Sequence, residues 1–439
     1  MPHAVMATTP SSAATTSSSA TTSGDTRLHI AVRTRSLEQV QRALDRPELT
    51  GASTLGPSAV VEERPFRSGL DERKRSLVNA ANADGRTALH EAACLDNEAV
   101  AKLLLDQGAE IDALKKAGWT PLMLALSHKR NVIARMLVLE GRASLFTSNK
   151  DGWTPLHIAT REGDPETIRF LIKQAPATVA MASKNGRLPI HTAAFHKHVE
   201  ATAILLSEGF ADPVARDVCG MTPQMFAASS GSAACLAMLL AFRCGLTVEE
   251  MLPRAESPSG QDDDAHVIDA CEQALLRLIS KQHARAVQLW QMLLERDKCG
   301  TTAFLHAAMT NSIHVLAFLL RLVHECAEAL APALNQRELA EEVFGHPTLM
   351  APDLVVEDPD LDNGARVARF VNTTDFRLNT ALHIAARAGA IDAVEFLVER
   401  AHVDRSLEDS FGRTACQLAQ LCEQPIAHAY LRKLDRHPC

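Results

Sequence analysis

The chain has 439 residues, 46% of them hydrophobic, so it can bury an extensive core. Its formal net charge of −8 at pH 7 argues against a general nucleic-acid-binding protein, because such proteins need a basic surface. The longest apolar runs, such as residues 233–242, are shorter than the ~18 residues that cross a membrane. We therefore expect neither nucleic-acid binding nor membrane insertion.

The ten cysteines are scattered and include no Cys-x-x-Cys pair. Most, such as Cys94, Cys235 and Cys416, lie at helical spacings where cysteine acts as a small apolar residue. This usage is typical of a reducing compartment, and the N-terminal sequence has neither the basic segment nor the apolar run of a secretory signal. We expect a soluble, monomeric protein of the cytoplasm, with the nucleus as the alternative location.

Residues 1–24 are rich in Ser, Thr and Ala. Such a segment buries too little apolar surface to offset the entropy that is lost when a chain becomes ordered. We expect a disordered tail there, followed by a folded region over residues 25–435.

Residues 151–159 read Asp-Gly-Trp-Thr-Pro-Leu-His-Ile-Ala. Gly152 suits a tight turn, because glycine accepts a positive φ. Thr154 can cap a helix through its hydroxyl group, and Pro155 then occupies the first helical position, where its missing N–H costs nothing. The apolar residues that follow, up to the helix-ending Gly163, predict a short helix with one buried face.

The Thr position of this stretch recurs along the chain, with leucine once in its place. It is occupied by Thr26, Thr87, Thr120, Thr154, Leu188, Thr222, Thr302, Thr380 and Thr414. From Thr87 to Thr222 the intervals are 33, 34, 34 and 34 residues. A Thr-Pro-Leu-His-x-Ala sequence at this period resembles the ankyrin repeat family. The resemblance implies an all-α fold, an ankyrin-repeat α-solenoid with short β-hairpin fingers, which we expect near residues 81–85, 115–118, 148–152 and 182–186.

The resemblance covers most of residues 25–435 and implies about nine or ten repeats in one solenoid. Departures from the period predict insertions, and these lie near residues 47–76, 246–265 and 326–372. Proline and glycine residues make the first insertion a predicted loop. Helical patterns at 266–280 and 284–295 predict one degenerate repeat after the second insertion.

Residues 338–362 contain eight acidic residues and no Lys or Arg. This composition predicts a solvated acidic loop or, alternatively, a docking segment for a basic partner. A further hypothesis is that the segment masks cationic finger residues of its own chain, namely Lys115, Lys116, Lys150, Lys184 and Arg187.

The sequence carries neither a Gly-x-Ser-x-Gly turn nor a phosphate-binding Gly-x-x-x-x-Gly-Lys motif. The His position of the repeat is occupied by His29, His90, His157, His191 and His383. No two of these residues lie closer than one repeat, about 10 Å, which is too far for them to share a metal ion. The resemblance implies instead that they bridge neighbouring turns by hydrogen bonds. We expect no metal, no cofactor and no enzyme activity.

Ankyrin repeats leave the finger tip, the residue before the Thr position and the residues after the first helix free for binding. Here these positions hold Arg86, Lys116, Trp119, Lys150, Trp153, Arg161, Arg187, Phe195, His196 and Met221. Trp and Arg are common in binding hot spots, and cations beside aromatic rings suit a protein with an acidic and apolar surface. The alternative is that each Trp only covers the hairpin of its neighbour.

We therefore predict a non-catalytic scaffold or adaptor that binds a partner protein on the concave face of the solenoid. One alternative is a regulatory or substrate-recognition subunit of an enzyme complex, such as a ubiquitin ligase, a phosphatase or a proteasome-associated complex. Another is a cytoskeletal scaffold. Because repeat proteins of one fold bind different partners, the sequence does not identify the partner.

Overall fold

The structure is a computed structural model that describes residues 25–45, 67–251, 263–334 and 363–435. The described chain consists of helices joined by turns, with an isolated β-bridge between Thr374 and Thr380 and no named strand. It divides into two compact units. Of the described residues, unit 1 holds 25–45, 67–125 and 132–143, and unit 2 holds the rest. The expected tail over residues 1–24 lies outside the described residues.

Unit 1 contains helix pairs in which one helix of each pair is more deeply buried. Its helices are α1 (Arg27–Arg33), α2 (Leu37–Asp45), α3 (Arg67–Val78), α4 (Ala88–Leu95) and α5 (Glu98–Asp106). The inner helices α1 and α4 pack on each other, and the outer helix α2 packs on α3 and α5. The next pair, α6 (Pro121–Ser127) and α7 (Asn131–Leu139), crosses the division between the two units.

Helix α3 corrects one expectation. Residues 47–76 were predicted to form a loop, but residues 67–78 form a helix. The prediction relied on Pro and Gly punctuation, whereas Arg, Lys, Glu and Leu, which favour helices, dominate this segment and a single glycine is tolerated within it. The remainder of that insertion, residues 46–66, lies outside the described residues.

Unit 2 holds a longer series of pairs. Its helices are α8 (Pro155–Glu162), α9 (Pro165–Gln174), α10 (Pro189–Phe195), α11 (Val199–Ser207), α12 (Pro223–Ser230), α13 (Ala233–Arg243), α14 (Val248–Met251), α15 (Asp263–Lys281), α16 (His283–Leu293), α17 (Ala303–Met309), α18 (Ile313–Leu334), α19 (Asn363–Val371), α20 (Ala381–Ala388), α21 (Ile391–Glu399), α22 (Ala415–Leu421) and α23 (Pro425–Asp435). The inner helices pack in the order α8, α10, α12, α17, α20, α22, and the outer helices in the order α9, α11, α13, α18, α21, α23.

Each pair is preceded by a finger, a five-residue turn with a repeated hydrogen-bond pattern. In the finger of residues 149–153, the Asn149 N–H donates to the Trp153 carbonyl at 3.0 Å and the Gly152 N–H donates to the Asn149 carbonyl at 2.9 Å. The Asn149 side-chain oxygen also accepts the N–H groups of Asp151 and Trp153 at 2.9 Å. The same two backbone bonds form the fingers of residues 82–86, 183–187, 217–221, 297–301, 375–379 and 409–413. The predicted all-α fold with hairpin fingers is confirmed, although the fingers are too short for regular strands.

The expected degenerate repeat over residues 266–295 is wrong. The Lys298 N–H donates to the Cys219 carbonyl at 2.9 Å, so the fingers of residues 217–221 and 297–301 are direct neighbours. Helix α12 likewise packs directly on α17, which leaves no repeat between them. Helices α15 and α16 form part of an insertion that lies on the outer helices α13 and α18. This cover explains why α13 is apolar all round, since Ala233 to Ala241 are all buried.

The expected insertion near residues 326–372 begins as a continuation of α18 and ends with α19. The fingers on either side are again direct neighbours, because the Phe376 N–H donates to the Cys299 carbonyl at 3.1 Å. The acidic stretch of residues 338–362, and with it the masking hypothesis, lies outside the described residues. None of the helices in the described ranges is long and apolar enough to cross a membrane.

Candidate functional site

The repeat histidines fix the backbone at three of the candidate site residues, Arg86, Trp119 and Arg187. In unit 2, the Thr154 N–H donates to His157 Nδ1 at 3.2 Å, so the ring proton lies on Nε2, which bonds the Arg187 carbonyl at 2.9 Å. His191 and His383 bond the Ala215 and Arg413 carbonyls at 3.0 Å in the same way. In unit 1, His29 bonds the Arg86 carbonyl at 2.7 Å and His90 bonds the Trp119 carbonyl at 3.1 Å. His29, His90, His157 and His383 therefore link their own helices to the last residue of the next finger, as the resemblance implies, and His191 bonds a residue just before the next finger.

Four of these rings, those of His90, His157, His191 and His383, are held in their neutral form. Burial lowers the pKa of His90 and of His157 to about 4, and it also lowers the pKa of His191 and of His383. A neutral ring can accept at Nδ1 and donate at Nε2 at the same time, which the bridging geometry requires. Among the described residues, no group of three or more His, Cys, Asp or Glu side chains could hold a metal ion.

In unit 2, Trp153 lies at the base of its finger and is half-buried. The guanidinium carbon of Arg161, at the end of α8, is 5.8 Å from the Trp153 ring centroid, a distance typical of a cation–π contact. Arg161 also forms an ion pair with Glu162 at 2.7 Å. At the tip of the same finger, Lys150 is exposed. The finger and the end of α8 thus bring the Trp153 indole close to two cations, Arg161 and Lys150, and the indole is only half-buried.

A second aromatic contact joins the next two repeats of unit 2. The guanidinium carbon of Arg187 is 4.7 Å from the ring centroid of Phe226, and Phe195 meets the same ring edge-on at 6.1 Å. Phe195 is 41% exposed, so this row of three side chains, Arg187, Phe226 and Phe195, ends in an accessible apolar ring. Arg187 Nε is 3.7 Å from the Asp217 carboxylate, which is too long for a hydrogen bond. Its charge is therefore only partly matched within the chain.

The remaining two residues of unit 2 flank these contacts. His196 is exposed and stacks on His198 with ring centroids 6.3 Å apart. His198 in turn bonds the Arg161 carbonyl at 2.8 Å, which ties the loop after α10 to the end of α8. Met221 is half-buried at the base of the next finger.

In unit 1, Trp119 is half-buried, and Lys115 Nζ is 5.6 Å from its ring centroid. Burial, followed by the nearby charge of Arg86, lowers the pKa of that lysine. The exposed Lys116 pairs with Asp84 at 3.3 Å. Neither this indole nor that of unit 2 is fully buried, so both keep surface for a partner.

Arg86 has a role within unit 1 that the sequence did not indicate. It pairs with Glu91 at 3.3 Å, and Glu91 also pairs with Arg33 at 3.1 Å, which in turn holds Asp25 at 2.6 Å. Burial would raise the pKa of Glu91, but the two arginines outweigh it and hold that pKa below its usual value. Because a nearly buried carboxylate needs this compensation, Arg86 stabilises the fold.

The sequence pattern described as "Ankyrin repeats (3 copies)" matches residues 11–145, 107–182, 134–217 and 176–250. A second pattern, "Ankyrin repeats (many copies)", matches residues 367–419. The chain belongs to the ankyrin repeat family.

Similar stretches occur in several known proteins. Potassium channel AKT1 of Oryza sativa subsp. indica is 54% identical over 48 residues, 11% of this chain and 5% of the channel. Protein phosphatase 1 regulatory subunit 27 of Homo sapiens is 44% identical over 69 residues, 16% of this chain and 44% of that protein. Serine/threonine-protein kinase 12 of Arabidopsis thaliana is 38% identical over 74 residues, 17% of this chain and 15% of the kinase. The chain thus spans less than half the length of each of these relatives.

Ankyrin repeats form protein-interaction modules, and one side chain that supports the candidate site was missed from the sequence. Phe226 is buried, and its ring contacts both Arg187 and Phe195. It was missed because a repeat normally uses this helix position for its core. The available signal was its size, because the same position holds Ile158 and Thr192 in the two preceding repeats.

Proposed function

We propose that this ankyrin chain is a non-catalytic scaffold or adaptor that binds a partner protein through its fingers and inner helices, on the concave face of the array. The observation that carries the proposal is the pair of aromatic–cation contacts in unit 2, Trp153 with Arg161 and the Phe195–Phe226 pair with Arg187. Large aromatic side chains and arginine supply most of the binding energy at protein interfaces. The backbone of Arg187 is held by the His157 bridge before any partner arrives, which limits the entropy that this residue loses on binding.

The positive charges next to Trp153 support a partner that carries carboxylates beside apolar side chains. Lys150 and Lys184 are exposed at neighbouring finger tips, and the Lys184 N–H donates to the Asp151 carbonyl at 2.9 Å. Their charges add to the incompletely matched charge of Arg187. An acidic partner would be attracted by these cations and would bury the open face of Trp153.

Affinity capture by the full chain, with quantitative mass spectrometry of the bound proteins, tests this proposal. We expect Trp153→Ala to remove the main partner, with a loss of about 2 kcal/mol or more in binding free energy if the indole is a hot spot. Trp119→Ala tests the surface of unit 1 separately. Phe210→Ala is the matched control, because this ring is 87% exposed on a loop after an outer helix. Equal capture by Trp153→Ala and the control would refute the proposed surface, provided that both variants keep the far-UV circular dichroism of the parent.

A regulatory subunit of a phosphatase is the second candidate, and the similarity to protein phosphatase 1 regulatory subunit 27 favours it. Calorimetric titration of the full chain with the purified catalytic subunit of protein phosphatase 1 decides between the two. Binding would support the regulatory function, and the absence of heat at micromolar concentrations would leave the adaptor function. The cytoplasmic location and the monomeric state belong to the same proposal, and imaging and sedimentation velocity would test them.

A further inference from the structure

One finger near the C-terminal end of unit 2 has a residue other than glycine at the position where the backbone adopts a positive φ. Leu378 has a φ of 59°, in the left-handed region, where the other described fingers have glycine. Leucine is strained in this conformation because its Cβ approaches the following carbonyl oxygen. The side chain does not recover this cost inside the fold, since Leu378 is 52% exposed. Local strain without an internal benefit is typical of functional surfaces.

Leu378 belongs to a larger exposed apolar surface. Phe376, two residues earlier, is 69% exposed, and Phe411 on the next finger is 72% exposed. The two fingers are joined, because the Ser410 N–H donates to the Arg377 carbonyl at 2.9 Å. We call Phe376, Arg377, Leu378 and Phe411 the C-terminal finger patch. Isolated exposed apolar residues are common, but three on adjoining finger tips are a recognisable feature of interaction surfaces.

The charge around the patch is mainly positive. The carboxylates of Asp375 and Asp409 are engaged by N–H groups of their own fingers, and Asp409 is buried. Arg377 is exposed at the tip, as is Lys298 on the preceding finger, whereas Glu408 is the acid exposed nearby. Arg413 lies over the Phe411 ring at 4.7 Å from its centroid, but its charge is paired with the Asp409 carboxylate at 2.6 Å. The exposed cations beside the aromatic rings are therefore Arg377 and Lys298, and these complement carboxylates beside apolar side chains.

We propose that the C-terminal finger patch is a second docking surface, which binds an acidic segment of another protein through its leucine or phenylalanine side chains. It is separate from the aromatic–cation contacts around Phe226 and Trp153, which lie two and four repeats earlier. The strain at Leu378 persists because the exposed side chain is used in binding. A chain with two such surfaces can hold two partners at once.

The probe for this proposal is an array of synthetic peptides of about twelve residues, built from Leu, Phe, Glu, Asp, Ser and Gly. A matched array has Lys and Arg in place of Glu and Asp. We expect the full chain to bind members of the acidic array and to ignore the basic one. Peptides that bind are then measured in solution by fluorescence polarisation. Equal binding to both arrays, or none to either, overturns the proposal.

Substitutions in the C-terminal finger patch test whether the selected peptides bind there. Phe376→Ser together with Phe411→Ser should weaken the selected peptides about tenfold or more, whereas the exposed control Phe210→Ser should leave the affinity unchanged. Unchanged affinity in the double variant overturns the proposal. So does self-association of the chain that the double variant abolishes in sedimentation velocity, because the patch would then bind a second copy.

Leu378→Gly separates a binding role from a structural one. Because the strain that glycine removes at positive φ exceeds the entropy that it adds to the unfolded chain, this variant should melt at a higher temperature than the parent while binding the selected peptides more weakly. A lower melting temperature would refute the strain argument.

Discussion

Buried histidines make the stability of this chain sensitive to acid at the level of single residues. In the unfolded chain a histidine titrates near pH 6.5, whereas burial lowers the pKa of His90 and of His157 to about 4. Between these values the unfolded state binds more protons than the folded state. The stabilisation is therefore complete above pH 6.5 and is lost as the pH falls towards 4.

We predict that His90 and His157 each lower the free energy of unfolding by about 2 kcal/mol when the pH falls from 7.5 to 5. Urea titrations followed by circular dichroism at the two pH values measure this difference. The chain itself suggests the matched variant: Gln417 occupies the His position of the last repeat and accepts the Thr414 N–H at 2.9 Å. His157→Gln keeps an acceptor but cannot be protonated, so it should reduce the pH dependence. A variant with the same dependence as the parent would show that His157 does not titrate in this way.

The sequence was sufficient to predict where the bridging histidines lie, but it was not sufficient to predict the side-chain contacts around them. A recurring Thr-Pro-Leu-His register places each ring between its own helix and the next finger, because the local hydrogen bonds repeat with the period. Contacts such as Arg33 with Glu91, or Arg187 with Phe226, depend instead on which side chains meet across neighbouring repeats. Arg86, an expected binding residue, is engaged within unit 1 because it pairs with the same Glu91.

At the level of single elements, the inner helices begin at a threonine or its substitute. Thr154 has extended backbone angles, with φ −84° and ψ 168°, and Pro155 follows as the first residue of α8. Proline at this position has its φ fixed near the helical value before the chain folds. Several other inner helices, including α4 and α20, begin with alanine, so proline contributes preorganisation that the fold does not strictly require.

We predict that Pro155→Gly lowers the free energy of unfolding by about 1 kcal/mol or more, because glycine increases the entropy of the unfolded chain. Pro155→Ala should cost less, since alanine starts equivalent helices elsewhere in the array. Chemical denaturation of the three proteins provides the comparison. If both variants unfolded at the denaturant concentration of the parent, the helix start would not depend on proline.

The insertion between α13 and α17 shows that the repeat period does not predict how inserted helices pack. Helical patterns in α15 and α16 were visible in the sequence, but a helix pattern alone does not reveal which neighbour the helix covers. Gln224 was an available signal, because it replaces the usual Leu of the motif. Its side chain donates to the Met292 carbonyl at 2.8 Å and accepts from Arg243 at 2.6 Å, so it anchors the insertion to the inner row.

For the whole molecule, each repeat of unit 2 is stabilised mainly by its two neighbours, and the terminal repeat has only one. Helices α12 and α13 have neighbours on both sides, and α13 is also covered by α15. We predict that amide hydrogen exchange, measured by mass spectrometry, is slowest in α12, α13 and α17 and fastest in α22 and α23. Exchange at one common rate throughout unit 2 would instead indicate a single cooperative unit.

The finger contacts that cross both insertions have a consequence for how this family can change. Arg216 bonds the Arg296 carbonyl at 2.8 Å although the two residues are 80 positions apart in sequence. The extra chain leaves after an outer helix and returns before the next finger, so the spacing between neighbouring finger tips stays that of a single repeat. Mutation can therefore lengthen, shorten or replace the outer segments without altering the geometry read by a partner. New regulatory segments can be acquired on one side of such a protein while recognition on the other side is inherited unchanged.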